Sequence, residues 1–315
     1  MTNQNIKKWN KKDLLGIKEL SVDEINLILN QAKNFKEILN RPIPKVPTLR
    51  GKTIVNLFCE PSTRTRSSFE LAAKRLNADI LNITTNSSSF LKGETLKDTI
   101  KNLEAMKIHM IIMRHNCSGA SHFLAKNTNA SVINAGDGWN EHPTQALLDA
   151  FTIQDKLKNI KGLNISIIGD ILHSRVARSN LHLLKKLGAN VTICGPKTLI
   201  PLGIEKMGIN ITYNIKEAIQ KADVLNILRI QFERQNESFL PNIREYRNCF
   251  GITLDLVKKH AKENIIILHP GPINRGIEID QDVADSKYSV ILEQVTNGVA
   301  IRMAVLFLLS QQKQD

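Results

Sequence analysis

The stretch FCEPSTRTRSSFELAAKRLN, from Phe58, sets two arginines among hydroxyl residues at the start of a helix. TIVNLF, from Thr53, reads as a strand, Pro61 ends it, and Ser62 suits an N-cap. Thr63, Arg64 and Thr65 then fill the first helical turn. Helix starts ordinarily favour acids, because their unbonded N–H groups and the macrodipole are positive. Arginine there opposes the dipole unless a bound anion compensates, and Arg64 supplies a guanidinium able to grip phosphate oxygens two at a time. The composition therefore points to a phosphate-sized anion, against the plainer reading of a solvated helix start with incidental basic residues. Neither a P-loop nor a dinucleotide fingerprint occurs in the chain.

Other residues with chemical potential also follow strands. Arg114 ends HMIIMR, from His109, where a strand-end surface arginine is the plain alternative. In HPTQ, His142 and Gln145 stand three apart at a helix start, so they share one face and can reach one group. A lone histidine is more often a packed side chain, but a helix start beside a cleft favours function. Lys92 lies in the polar loop SSSFLKGET, where a solvated lysine is the ordinary reading. Arg175 follows the strand NISIIGD, from Asn164, and Arg229 and Gln231 follow ADVLNIL, from Ala222. Two arginines at strand ends can clamp a dicarboxylate. Spacing alone leaves Arg178 and Arg234 as competitors.

The elements that must position these residues form two series. TIVNLF, ADILNI (from Ala78), HMIIMR and SVINA (from Ser131) are one set of short β-branched runs; NISIIGD, NVTICG (from Asn190), ADVLNIL and NIIILHP (from Asn264) are the other. Helical patterns alternate with them, and the runs lack strict period-two alternation, as buried parallel strands do. The expected class is α/β, with two similar domains, each a mostly parallel sheet flanked by helices. The expected boundaries are 1–148, completed by a C-terminal helix over 296–315, and 149–295. The junction falls along HPTQALLDAFTIQDKL, from His142. GVAIRMAVLFLLSQQ, from Gly298, is the final apolar helix. Such a pair of domains places a site in the cleft between them, near strand carboxyl ends.

Composition excludes several classes. With 315 residues and 42% hydrophobic content the chain can bury two cores. No apolar run approaches the roughly 18 residues of a membrane span, and the basic start MTNQNIKKWNKKDLL has no apolar stretch behind it, so no membrane association and a cytoplasmic location are expected. Cys59, Cys117, Cys194 and Cys249 are too dispersed for a zinc site and read as free packing thiols. The net charge of +13 is spread among asparagines and isoleucines with only three Tyr and two Trp, which argues against nucleic acid.

Taken in order, STRTR after a strand, KGET at Lys92 to Thr95, MRH at Met113 to His115, HPTQ at His142 to Gln145 and HPGP at His269 to Pro272 closely resemble the carbamoyltransferases. The ornithine branch of that family typically carries D-x-W-x-S-M-G and H-C-L-P. Here LRIQFER, from Leu228, and HPGP stand in those places, so the chain resembles the aspartate branch over essentially its whole length.

The resemblance implies transfer of the carbamoyl group of carbamoyl phosphate to L-aspartate, an early step of pyrimidine biosynthesis, with no metal or organic cofactor. It assigns Ser62, Thr63, Arg64 and Thr65 to the phosphate and Arg114 to phosphate and carbonyl oxygen. His142 polarises the carbonyl, and Gln145 holds the carbamoyl nitrogen. Gly271 and Pro272 offer backbone carbonyls, with a cis bond before Pro272. Arg175 and Arg229, supported by Gln231, take the carboxylates of aspartate. Lys92 and a serine, Ser88 or Ser89, reach the neighbouring subunit's site. This implies a homotrimer with shared sites and leaves open a dodecamer with regulatory chains. The competing readings are a carbamoyltransferase for ornithine, which predicts an acidic pocket in place of the two arginines, a non-catalytic anion-binding protein, and a nucleic-acid binder with steep salt dependence.

Overall fold

The computed structural model describes residues 9–84, 95–230 and 242–311. The chain divides into two units, one formed by residues up to 151 together with those from 296, the other by 152–295.

In the first unit, α1 (Val22–Leu39) precedes β1 (Thr53–Phe58), α2 (Thr63–Arg75), β2 (Asp79–Thr84) and α3 (Leu96–Ala105). β3 (Met110–His115), α4 (Ala120–Lys126), β4 (Ser131–Asp137) and α5 (Pro143–Leu157) follow. Its sheet has the order β2-β1-β3-β4, all parallel. β1, β3 and β4 are buried along nearly their whole length while β2, at the edge, is largely exposed. Val55, Leu57, Ile111, Met113 and Val132 form a core with Ile100 and Leu103 of α3 and Leu124 of α4. A fully buried side chain of this kind contributes about 1.5–3 kcal/mol.

The second unit contains β5 (Asn164–Ile168), α6 (Arg175–Lys186), β6 (Asn190–Cys194), β7 (Asn210–Thr212), α7 (Ile215–Lys221) and β8 (Val224–Ile227). α8 (Ile243–Phe250), α9 (Leu254–His260), β9 (Ile266–Leu268) and α10 (Gln281–Ala284) complete it. The sheet order is β7-β6-β5-β8-β9, again parallel throughout. Its core joins Ile168, Leu225, Ile227 and Ile267 to Ile219 of α7 and Val257 of α9.

Three expectations need correction. The last helix, α11 (Ile291–Ser310), begins before Gly298. It is also long and apolar enough to cross a membrane by length and composition, contrary to the sequence reading, although two thirds of its apolar window is buried. It behaves as a core helix: Phe307 meets Phe35 of α1 edge to face, with ring centres 5.7 Å apart. Finally, Cys117 and Cys249 are exposed, so only Cys194 is a fully buried packing thiol, and burial raises its pKa to about 12.

Candidate active site

Both sheets reverse their strand order, and chemistry-bearing residues collect at those points. In the first sheet β1 is flanked by β2 on one side and β3 on the other, so the switch lies between β1 and β3. α2 starts just beyond β1. Its N-cap, Ser62, makes no side-chain capping bond, and its first turn holds no acid. α1 shows the ordinary alternative, a complete capping box between Ser21 and Glu24 with acids in the first turn. The start of α2 thus forgoes the devices that neutralise a helix terminus from within. Thr63 and Arg64 are exposed there and Thr65 is buried.

Arg114 lies opposite Phe58 in the β1–β3 register and within an irregularity between β3 and β4. Such bulges re-aim side chains. The guanidinium donates from Nε to Glu60 Oε1 at 2.7 Å and from Nη1 to Thr65 Oγ1 and the Ala135 carbonyl, both at 3.4 Å. The structure therefore brings Arg114 to the α2 first turn directly, with Glu60 as an anchor that the sequence reading missed. Next to it, burial lowers the pKa of His115, opposed by Glu60 and Asp137, and its Nδ1 accepts the Cys117 N–H at 2.9 Å.

His142 precedes Pro143, which opens α5 with the φ that a first helical position needs. His142 is buried, as is Gln145. The turn leading to His142 is fixed by a polar lattice that spacing did not reveal. Asp137 Oδ1 accepts from Asn134 Nδ2 at 2.7 Å and from the Glu141 N–H at 3.2 Å, while Oδ2 accepts from the Gly119 N–H at 2.7 Å. Glu141, itself buried, accepts the Ile17 and Lys18 N–H groups at 2.7 and 3.2 Å. Gln145 donates from Nε2 to the fully buried Asp149 at 2.9 Å.

In the second unit the switch point lies between β5 and β8. Arg175 opens α6 behind the N-cap Ser174 and is buried, whereas its competitor Arg178 is exposed. Arg229 is half-buried just past β8. Gly169, between β5 and Asp170, has φ +125, and a Cβ there would stand 3.0 Å from the Leu228 carbonyl oxygen and 3.2 Å from Tyr246 Oη. Only glycine allows the ends of β5 and β8 to approach this closely.

The HPGP loop is held by its own histidine. His269 Nδ1 accepts the Gly271 N–H at 2.8 Å, so the ring proton sits on Nε2, which faces Glu278 Oε1 at 3.3 Å. Glu278 also accepts the Asn274 N–H at 2.6 Å. The Gly271–Pro272 bond is cis, as the resemblance implied. Lys92, Gln231, Ser88, Ser89 and Arg234 lie outside the described residues. Among the described residues no group of three or more His, Cys, Asp or Glu is placed to hold a metal ion.

Two parallel α/β units, each with arginine at its switch point, define a class of protein that handles small anions at strand carboxyl ends. The chain belongs to the aspartate/ornithine carbamoyltransferase family: residues 12–155 match its carbamoyl-P binding domain and residues 161–309 its Asp/Orn binding domain. It is 57% identical over 304 residues to the aspartate carbamoyltransferase catalytic subunit of Syntrophobacter fumaroxidans, covering 96% of this chain and 99% of that protein. The corresponding subunit of Carboxydothermus hydrogenoformans is 58% identical over 300 residues, covering 95% and 96%. Among solved structures, aspartate transcarbamoylase from Trypanosoma cruzi in complex with carbamoyl phosphate and aspartate has a TM-score of 0.86 at 30% identity, covering 95% of this chain and 97% of that one. Ornithine carbamoyltransferase from Pyrococcus furiosus has a TM-score of 0.84 at 32% identity, covering 96% and 98%. Fold similarity alone thus does not separate the two acceptors, whereas the identity to aspartate enzymes does.

Proposed function

We propose that the chain transfers the carbamoyl group of carbamoyl phosphate to the amine of L-aspartate, giving N-carbamoyl-L-aspartate and phosphate in pyrimidine biosynthesis. The observation that carries this reading is the 57% identity, over 96% of the chain, to an aspartate carbamoyltransferase catalytic subunit. The placement of the described residues supports the following mechanism. Ser62, Thr63, Arg64 and Thr65 hold the phosphate with the first-turn N–H groups of α2. The uncharged amine attacks the carbonyl carbon, a C–N bond forms, and a tetrahedral oxyanion develops. Arg114, Thr65 and His142 stabilise that charge, a contribution worth about 3–4 kcal/mol for one preorganised donor. The C–O bond to phosphate then breaks, and the departing phosphate takes the amine proton.

Gln145 holds the carbamoyl nitrogen, and the carbonyls of Gly271 and Pro272 accept from carbamoyl nitrogen or substrate amine. Arg175, Arg229 and Gln231 bind the two carboxylates of aspartate. Lys92, with Ser88 or Ser89, enters from a neighbouring copy in a homotrimer, and the expected compartment is the cytoplasm. The competing acceptor is tested directly: purified protein is incubated with carbamoyl phosphate and either L-aspartate or L-ornithine, and the products are separated. N-carbamoyl-L-aspartate alone is expected. Citrulline would overturn the roles of Arg175 and Arg229, and no product with either amine would leave an anion-binding protein.

A further inference from the structure

Behind Gln145 lies a buried polar cluster drawn from three helices of the first unit. Asp149, one turn further along α5, is fully buried and accepts from Gln145 Nε2 at 2.9 Å. Arg302 of α11 is 4% exposed. It donates from Nη1 to Ser68 Oγ at 3.0 Å, and its guanidinium lies 5.0 Å from the ring centre of Phe69, both residues belonging to α2. Burial lowers the Arg302 pKa to about 10, and the Asp149 carboxylate opposes that shift.

Gly298 gives independent evidence that this placement is built in. It stands one turn before Arg302 on the same helix, and a Cβ there would lie 2.6 Å from Arg302 Nη1 and 3.2 Å from Leu148 Cδ2. A glycine inside a helix is destabilising relative to alanine. Here it leaves the room in which the guanidinium lies against α2.

The chemistry of the cluster fixes an orientation. An ionised carboxylate only accepts, so Gln145 must turn its NH2 group toward Asp149. Its Oε1 then faces the opposite way, as an acceptor. A buried carboxylate needs a compensating cation, and Arg302 is the buried cation whose lowered pKa the Asp149 carboxylate opposes. We propose that Asp149 is a positioning residue that locks the Gln145 amide with its oxygen toward the carbamoyl nitrogen. The donor site thereby selects an N–H2 group over a methyl group of the same size. The inference rests on the carbamoyl-binding role of Gln145 given above.

The test compares two stable phosphonates, phosphonoacetamide and phosphonoacetone, which differ in NH2 against CH3, with inorganic phosphate as the control. Dissociation constants are measured calorimetrically for the unmodified protein, for Asp149→Asn, and for the double variant Asp149→Asn with Arg302→Met. The double variant leaves no uncompensated buried charge, so it keeps the test open where the single variant folds poorly. The unmodified protein should prefer the amide by about tenfold, the value of one good hydrogen bond. In the variants the preference should fall to about onefold, while phosphate affinity changes by less than about twofold. A purely structural role would weaken all three ligands together and leave the preference intact, which would overturn the inference. Equal binding of the two phosphonates by an unmodified protein that still makes N-carbamoyl-L-aspartate would overturn it too. Absence of carbamoyl transfer by the unmodified protein would instead sink the functional reading beneath it.

Discussion

Arg114 shows how much of the proposed chemistry depends on the shape of one side chain. Its guanidinium makes a 2.7 Å contact to Glu60 through Nε while Nη1 is directed at Thr65 and the Ala135 carbonyl. Lysine has the charge but a single nitrogen, so it cannot hold the Glu60 anchor and face the α2 turn at once. Arg114→Lys is expected to lower kcat/KM for carbamoyl phosphate by at least about tenfold, in line with the loss of one charge-assisted hydrogen bond. Thermal unfolding should change little, because the residue is only half-buried. Steady-state kinetics with carbamoyl phosphate varied would check this, and an unchanged kcat/KM would remove Arg114 from the oxyanion and phosphate roles. The motif readable in the sequence was the arginine after an apolar run. What it did not show was Glu60, because the acid of a Cys-Glu-Pro bend has no periodicity and its partner lies near the end of β3, far along the chain.

At the level of elements, the position of each functional group is set by where a strand ends and a helix begins. Gly169 is the clearest case, since its φ of +125 and the 3.0 Å approach to the Leu228 carbonyl leave no room for a side chain. Gly169→Ala would push the end of β8 outward, carrying Arg229 with it, at a cost of about 1–3 kcal/mol in backbone strain. The KM for aspartate should rise severalfold while the KM for carbamoyl phosphate stays within about twofold, because the strain is confined to the second unit. Kinetics with each substrate varied in turn separate the two, and an unaltered aspartate KM would detach Arg229 from carboxylate binding. Buried parallel strands were legible in the sequence because their β-branched runs are continuous. β7 was not, since three residues carry too short a pattern. The start of α11 was missed because Glu293, Gln294, Thr296 and Asn297 interrupt its apolar run. Asp149 and Arg302 escaped notice for a related reason: each is a single charged residue within an apolar stretch of its helix, ALLDAF and GVAIRMAVLFLL, and only the fold brings those helices together.

For the whole molecule, charge and oligomeric state are the properties that local geometry does not decide. A net charge of +13 favours encounter with anions in general. The homotrimer proposed here has a sharper consequence, because one site would draw Arg64 from one copy and Lys92 from the next. Chains carrying Arg64→Ala and chains carrying Lys92→Ala should each be nearly inactive alone. When they are denatured together in equal amounts and refolded, a given site has an intact Arg64 with probability one half and an intact neighbouring Lys92 with the same probability. Random assembly in a cyclic trimer therefore restores roughly a quarter of the sites of the unmodified protein. Mixing the two assembled proteins without denaturation should restore little, since exchange requires the subunits to separate. Activity assays on the refolded mixture check the value, and sedimentation checks the mass. A mixture that refolds as trimers yet recovers no activity would place both residues in the same chain's site and remove the subunit-sharing role of Lys92.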